Sequence, residues 1–294
     1  MPIEKPTCSL GACMGGYQRT LRSGSVLLVL ATGACSFDTS VAFESTADNL
    51  FPDASASGID AGITPNADAS AFSEPDAAVA GPDGTLQSFS RNQDVEIDGA
   101  IDNSWSAATF LDFAIADAQL FEVYQQSYVP SASLRMASLY DDDNIYFFIE
   151  VTDDSVVVDS SQIYHDDSIE ITIDGLNDRS GPYGNDDHWF LVTEGKYASD
   201  GPASIELDGA FVRTQAGYNI EFSVERSDLG AGGNTTLGFN IGLNDDDGAG
   251  NSNVDAYGAW FFPNTPNCNS CCAGKAVQYP WCDTTKLGQL ELVP

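Results

Sequence analysis

Two short runs constrain this chain most. Ile145, Phe147, Ile149 and Val151 alternate with Tyr146, Phe148 and Glu150, and Ile169, Ile171 and Ile173 alternate with Ser168, Glu170 and Thr172. Successive side chains on a strand point to opposite faces, so a period of two predicts strands with one apolar face each. Similar runs at 133–140, 187–194, 203–214, 217–224, 236–243, 257–262 and 287–293 are separated by Gly, Asn and Asp clusters that mark turns. About ten short strands result. No long stretch shows helical spacing, and only short helical turns are expected, for example near Ser104–Ala108. The spacing predicts an all-β domain over 87–294, a two-sheet antiparallel β-sandwich of the jelly-roll kind.

The charge balance excludes one class of partner. The chain has 294 residues, with 44 Asp plus Glu against 11 Lys plus Arg and a formal charge of −33. A duplex would meet a surface of its own sign, so no nucleic acid is expected as a partner. Hydrophobic residues still make up 43%, enough for a packed core, which leaves the acidity to the surface and to any tail. The longest apolar stretch is about ten residues, short of the roughly 20 that a spanning helix needs.

The tail is visible in the sequence. From Ser36 to Gly84 there is no Lys or Arg, nine residues are acidic, and Ala, Ser, Gly, Pro and Thr fill most of the rest. Such a stretch buries too little apolar surface to offset its chain entropy, so 35–86 is expected to be a disordered, self-repelling acidic tether. Before it, Arg19 and Arg22 precede the apolar run Val26–Ala31, and Thr32-Gly33-Ala34 lead into Cys35. This segment resembles a bacterial lipoprotein signal over residues 1–34, with Met14 read as its start. The resemblance implies an exported chain, lipidated at Cys35 and anchored to the outer membrane on its periplasmic or cell-surface side, with the lipid as its only membrane contact. A simple secretory peptide cut nearby is the alternative.

With Cys35 acylated, Cys268, Cys271, Cys272 and Cys282 remain, an even set within fifteen residues. In an exported protein they read as two disulfides, with the neighbours Cys271 and Cys272 each pairing outward. A four-thiolate zinc site competes with that reading.

Several motifs follow one another in order: Ile97-Asp98-Gly99 with Asp102 and Trp105; Asn144-Ile145-Tyr146 with Asp153; Asp167-Ser168-Ile169-Glu170-Ile171 with Asp174. Gly217-Tyr218, Glu221, Gly238-Phe239-Asn240-Ile241, Asn244-Asp245, Trp260 and the closing Gly288-Gln289-Leu290 continue the series. Over residues 92–293 the chain resembles a family 9 carbohydrate-binding module. That resemblance implies a β-sandwich with non-catalytic sugar binding, often attached to glycoside hydrolases. It also implies a site in which a terminal sugar lies between two aromatic rings, here Tyr164 and Trp281. Glu170 and Gln278 then serve as hydrogen-bonding partners. The logic of such a clamp is that a pyranose has apolar C–H faces and hydroxyls at its rim. Two contacts of the family are absent: Leu191 stands where it has Arg, and Gly242 where it has Gln. His188 and Asn244 are the candidates to compensate.

Other residues have structural readings. Trp105 is expected in the core, and Trp189 and Trp260 are expected to pack within strands, whereas Glu170 alternates away from the Ile face. Acid clusters recur at Asp141-Asp142-Asp143, Asp153-Asp154, Asp166-Asp167, Asp186-Asp187 and Asp245-Asp246-Asp247. Oxygen ligands at that density suit calcium, so no cofactor is required but a structural calcium, with ligands unassigned, is expected. No Ser-His-Asp or Cys-His pattern stands out around His165 and His188, which favours a binding protein over an enzyme. A glycoside-processing enzyme, or an envelope interaction domain that has lost its sugar site, are the rival readings.

Overall fold

Among the described residues the alternating runs belong to one curled hydrogen-bonded sheet of thirteen strands, ten along a single path and three branching from it. The computed structural model describes residues 84–124, 128–180, 183–200, 205, 207–248, 254–262, 280 and 283–294. The leader, Cys35, nearly all of the tether, Gln278, Trp281 and the four clustered cysteines lie outside the described residues.

In chain order the strands are β1 (Thr85–Ser90), β2 (Phe110–Ala114), β3 (Leu120–Val123), β4 (Ser133–Tyr140), β5 (Asn144–Thr152), β6 (Ser168–Asp174) and β7 (Asp187–Thr193). Then come β8 (Lys196–Asp200), β9 (Asp208–Arg213), β10 (Gly217–Glu225), β11 (Thr236–Asp245), β12 (Ala256–Ala259) and β13 (Gly288–Val293). Helical structure among the described residues is limited to 3-10 turns at Asn103–Ala107, Ile115–Asp117 and Ile163–His165, the first of them where a short turn was expected.

The spatial order β8-β7-β6-β11-β13-β1-β4-β5-β10-β9 divides at β1. Its residues Thr85–Phe89 pair with β13, and Phe89 and Ser90 pair with Leu139 and Tyr140 of β4, so one strand passes from the first layer to the second. Both of these pairings are parallel, while every other ladder is antiparallel. The exception has a simple cause: no hairpin links β1 to either neighbour, so no tight turn dictates its direction. β1 also begins two residues before the expected domain start, and Leu86 lies in the core.

Phe147 on β5 stacks on Phe239 of β11, with ring centroids 5.8 Å apart and planes 6° from parallel. These strands are distant along the path, so the contact shows that the two layers face each other. Ile145 and Ile149 meet Ile169, Ile171, Ile173, Phe190, Ile220 and Ile241 in the same core. Each such side chain contributes about 1.5–3 kcal/mol by leaving water.

The opposite face of β5 departs from its expected single apolar side. Tyr146 and Phe148 are buried in a second cluster with Trp105, Ala137 and Leu139, flanked by Val95, Ile97 and Ile101. The segment before β2 folds over this face, so β5 is apolar on both sides. Strands β2, β3 and β8 were not legible either: β3 and β8 are four and five residues long, and β8 sits at the end of the path.

Candidate functional site

Strand β6 lies between β7 and β11, and β12 continues the sheet beside the second half of β11. Register sets which side chains become neighbours. Glu170 stands opposite Leu191 on β7 and Gly242 on β11, and Asn244 stands opposite Ser168 on β6 and Tyr257 on β12. Directly opposed residues share a face. Ile169, Ile171 and Ile173 therefore enter the core, while Ser168, Glu170, Trp189, Leu191, Asn244 and Tyr257 share the other face.

Glu170 is not a solvated strand carboxylate: it is 6% exposed. Its Oε1 accepts a hydrogen bond from Asn244 Nδ2 at 3.2 Å, and its Oε2 accepts one from Trp189 Nε1 at 3.4 Å. The buried Tyr257 hydroxyl stands beside the same carboxylate at the margin of hydrogen-bonding geometry. Burial pushes the Glu170 carboxyl up to about 7, against the opposing pull of these three donors. Burial, followed by the nearby carboxylate, also drives the Tyr257 hydroxyl well above its ordinary value.

Gly242 explains how Tyr257 reaches this position. A Cβ at residue 242 would lie 2.8 Å from both Cε2 and the hydroxyl oxygen of Tyr257, inside van der Waals contact. The phenol therefore occupies the space that a side chain at 242 would take. Where the resemblance implies a Gln contact, this chain has a bare backbone with a tyrosine resting on it.

The remaining expectations divide. Asn244 donates to Glu170 and to Ser168 Oγ, consistent with a compensating role. His188 does not: it lies on the core face of β7, stacked on Phe190, with Nε2 buried and without a partner. Trp189 differs from its expected packing role, because it is partly exposed, lies on the Glu170 face and bonds the carboxylate. The alternation of β7 held the signal that Trp189 and Leu191 share a face, but their position beside Glu170 depends on register. Trp260 packs on Phe239 as a core residue. Tyr164 sits partly buried in the 3-10 turn before β6, edge-on to His165 at 4.4 Å. The expected clamp thus has one ring within the described residues and its partner, Trp281, outside them, as is Gln278.

Trp105 is fully buried and donates from Nε1 to Glu221 Oε1 at 2.9 Å. Glu221 Oε2 accepts from the backbone N–H groups of Asp98 and Gly99 at 3.0 and 2.9 Å. Gly99 has φ +78°, and a Cβ there would strike Val212 at 2.7 Å, so the Asp98-Gly99 turn is fitted to this carboxylate. The first motif of the resemblance and Glu221 are thereby joined in one structural tie.

The acid clusters separate into two kinds. Asp141 is a turn anchor: burial would raise its carboxyl, but the N–H groups of Asn144 and Asp143, the Tyr146 hydroxyl and the Arg91 guanidinium together hold it low. By contrast, Asp153, Asp167 and Asp245 are all buried and bring carboxylate oxygens within 4.8 Å of one another. Asp153 Oδ2 and Asp245 Oδ1 are buried with no hydrogen-bond partner. Burial, then the neighbouring acids, push Asp167 up to about 9, and burial pushes Asp245 up to about 7. A second group, Asp174, Asp178 and Asp186, lies beside Asp187, whose buried Oδ1 is also unpartnered. Converging oxygens without hydrogens to receive suit a hard cation such as calcium, which takes oxygen ligands and would return these acids to their ionised form.

This architecture, a curled β-sandwich, is the fold of solved carbohydrate-binding modules. It aligns with a family 9 module from Caldicellulosiruptor kristjanssonii in complex with cellotriose at a TM-score of 0.54 and 20% identity, covering 71% of this chain and 93% of that one. A glucose complex from the same organism aligns at 0.53 and 21%, covering 70% and 95%. Residues 97–294 match the family model described as carbohydrate family 9 binding domain-like, and the chain belongs to that family. Among curated relatives, endo-1,4-beta-xylanase A of Thermotoga neapolitana is 27% identical over 201 residues, covering 67% of this chain and 17% of the enzyme. Exoglucanase XynX of Acetivibrio thermocellus is 26% identical over 159 residues, covering 53% and 13%. The chain thus spans less than a fifth of the length of these relatives.

Proposed function

We propose that the outer face of β6, β7, β11 and β12 is the sugar-binding surface of a non-catalytic, surface-tethered module. The observation that carries this reading is Glu170, a buried carboxylate held beside two aromatic residues on a face turned away from the core. Its oxygens are placed to accept hydroxyl hydrogens, while Trp189 offers an apolar surface to the C–H face of a ring. Tyr164 and Trp281 form the stacking pair of this site, with Gln278 at its rim. The glucose and cellotriose complexes of the Caldicellulosiruptor module support a gluco-configured ligand. The xylanase and exoglucanase relatives support a role beside glycoside hydrolases acting on plant-type polysaccharides.

Calorimetry with glucose, cellotriose and xylo-oligosaccharides tests this reading. Glu170→Gln is expected to weaken binding by about 1–3 kcal/mol through loss of charge-assisted bonds. Trp281→Ala is expected to abolish binding while leaving the thermal midpoint unchanged. No binding across a glycan panel would instead leave an interaction domain, and release of reducing ends would mark an enzyme.

Calcium at Asp153, Asp167 and Asp245 belongs to the same proposal, as a structural ion. Chelation is expected to lower the thermal midpoint, and a midpoint insensitive to chelator overturns it. Export, lipidation of Cys35 and two disulfides among Cys268, Cys271, Cys272 and Cys282 complete the reading. Intact mass of the membrane fraction tests the first two, and alkylation without reductant tests the third.

A further inference from the structure

Strands β5 and β6 are joined by the connection 153–167, and its two outermost residues belong to one acid cluster. Asp153 is the first residue after β5 and Asp167 the last before β6. With Asp245, the last residue of β11, they bring carboxylate oxygens within 4.8 Å of one another. Asp153 is 5% exposed and Asp245 0%, and Asp153 Oδ2 and Asp245 Oδ1 have no hydrogen-bond partner among the described residues. Tyr164 lies on this same connection, in the 3-10 turn Ile163–His165.

The acids also organise the backbone between them. Asp153 Oδ1 accepts from the N–H of Ser155 at 2.9 Å, Asp167 Oδ2 from that of Val157 at 2.5 Å, and Asp166 Oδ1 from that of Ser160 at 2.7 Å. Asp167 Oδ1 accepts from the N–H of Asp246 at 2.8 Å, which ties the end of the connection to β11. Two basic side chains hold carbonyls of the loop from outside: Arg213 Nη1 donates to the Val156 carbonyl and Lys196 Nζ to that of Ser160, both at 3.1 Å. A connection of this length carries a closure entropy, and three carboxylates at its mouth repel one another. A cation shared by Asp153 and Asp167 reverses that repulsion and clips the loop shut, with Asp245 fixing the clip to the sheet.

We infer that a cation at Asp153, Asp167 and Asp245 is coupled to sugar binding: by closing the connection 153–167 it holds Tyr164 in place, so that ion and sugar each tighten the other. The inference rests on the sugar-binding and calcium readings above and turns a structural ion into a regulatory one. Linkage makes the coupling reciprocal, whichever ligand binds first.

Calorimetry of the full chain with cellotriose, in calcium and in chelator and well below the thermal midpoint of the chelated chain, tests it. Chelation is expected to weaken cellotriose binding about tenfold, and saturating cellotriose to tighten calcium binding by the same factor. Hydrogen exchange supplies a readout without sugar: calcium is expected to slow exchange across 154–166 far more than across the strands. Asp245→Asn, which alters no residue of the connection, is expected to bind cellotriose as the chelated chain does and to lose the calcium effect. The comparison within the unmutated chain holds whether or not that variant folds. Equal cellotriose affinity with and without calcium overturns the inference and leaves both binding sites standing. A calcium effect that survives in Asp245→Asn, or that slows exchange evenly over the whole domain, is general stabilisation and also overturns it. Absence of calcium binding overturns the ion and the coupling while sugar binding stands, and failure of cellotriose to bind in calcium overturns the carbohydrate reading and the coupling with it.

Discussion

Two buried glutamates, each bonded to a tryptophan, do different work in this molecule. Glu221 receives Trp105 Nε1 at 2.9 Å and two backbone N–H groups, and both residues are fully buried. Glu170 receives Trp189 Nε1 at 3.4 Å and Asn244 Nδ2 at 3.2 Å, with the Tyr257 hydroxyl beside it, and its tryptophan is partly exposed. Burial raises both carboxyls. The difference lies in what each bond fastens. Glu221 closes the Asp98-Gly99 turn onto the sandwich and holds a fully buried tryptophan at 2.9 Å, whereas Glu170 holds a partly exposed one at 3.4 Å. The same residue pair is a rivet of the core in one place and the support of a partly exposed ring in the other.

Mutations can break this contrast, most strongly at the rivet. Trp105→Ala removes a large core side chain and is expected to cost about 3–5 kcal/mol in denaturant unfolding. The equivalent change at Trp189 is expected to cost much less, because that ring is partly exposed; equal losses would erase the distinction.

Neutralising the two acids sharpens it further. Glu221→Gln turns one acceptor oxygen into a donor facing other donors, an expected loss of about 1–3 kcal/mol. Glu170→Gln removes an uncompensated buried charge and is expected to leave stability at pH 8 unchanged or higher. A loss at Glu170 matching that at Glu221 would mean that its carboxylate is also a structural tie.

The smallest effect is a pH slope. Glu170 titrates at about 7 in the folded domain against an ordinary 4.5, so the folded chain holds this proton more tightly than the unfolded chain. The stability it contributes is complete below about pH 4.5 and is lost as pH rises through 7. The slope cannot exceed one proton, about 1.4 kcal/mol per pH unit. Burial raises Asp167, Asp187 and Asp245 into the same pH range, so the readout is the difference between the two chains, and the slope is expected to be flatter in Glu170→Gln. Its persistence in that variant would assign it to another group.

Much of the fold was legible because alternation is local. The pattern Ser168-Ile169-Glu170-Ile171 assigns each residue a face without reference to any other part of the chain, and the Ile side is the core. Strand β1 was hidden, since Leu86 and Phe89 sit between turn-forming residues and gain their burial from β13 and β4, which lie far away in sequence. Trp189 departs from its expected packing role for a related reason: alternation marks its strand but not its neighbour across the sheet. His188 is the opposite case, a polar residue that the alternation of β7 turns into the core.

The amino-acid sequence by itself determined that this is an acidic all-β protein, that Glu170 turns away from its isoleucines, and that its ordered motifs match those of a sugar-binding family. Only the tertiary structure decided what surrounds that carboxylate. Asn244, Tyr257 and Trp189 come from three other strands and meet Glu170 through the registers of β6 with β7 and β11, and of β11 with β12. The physical reason is that a strand's period is written in adjacent residues, whereas register is settled by the packing of the whole sandwich. One residue of slip would turn every one of these side chains to the other face.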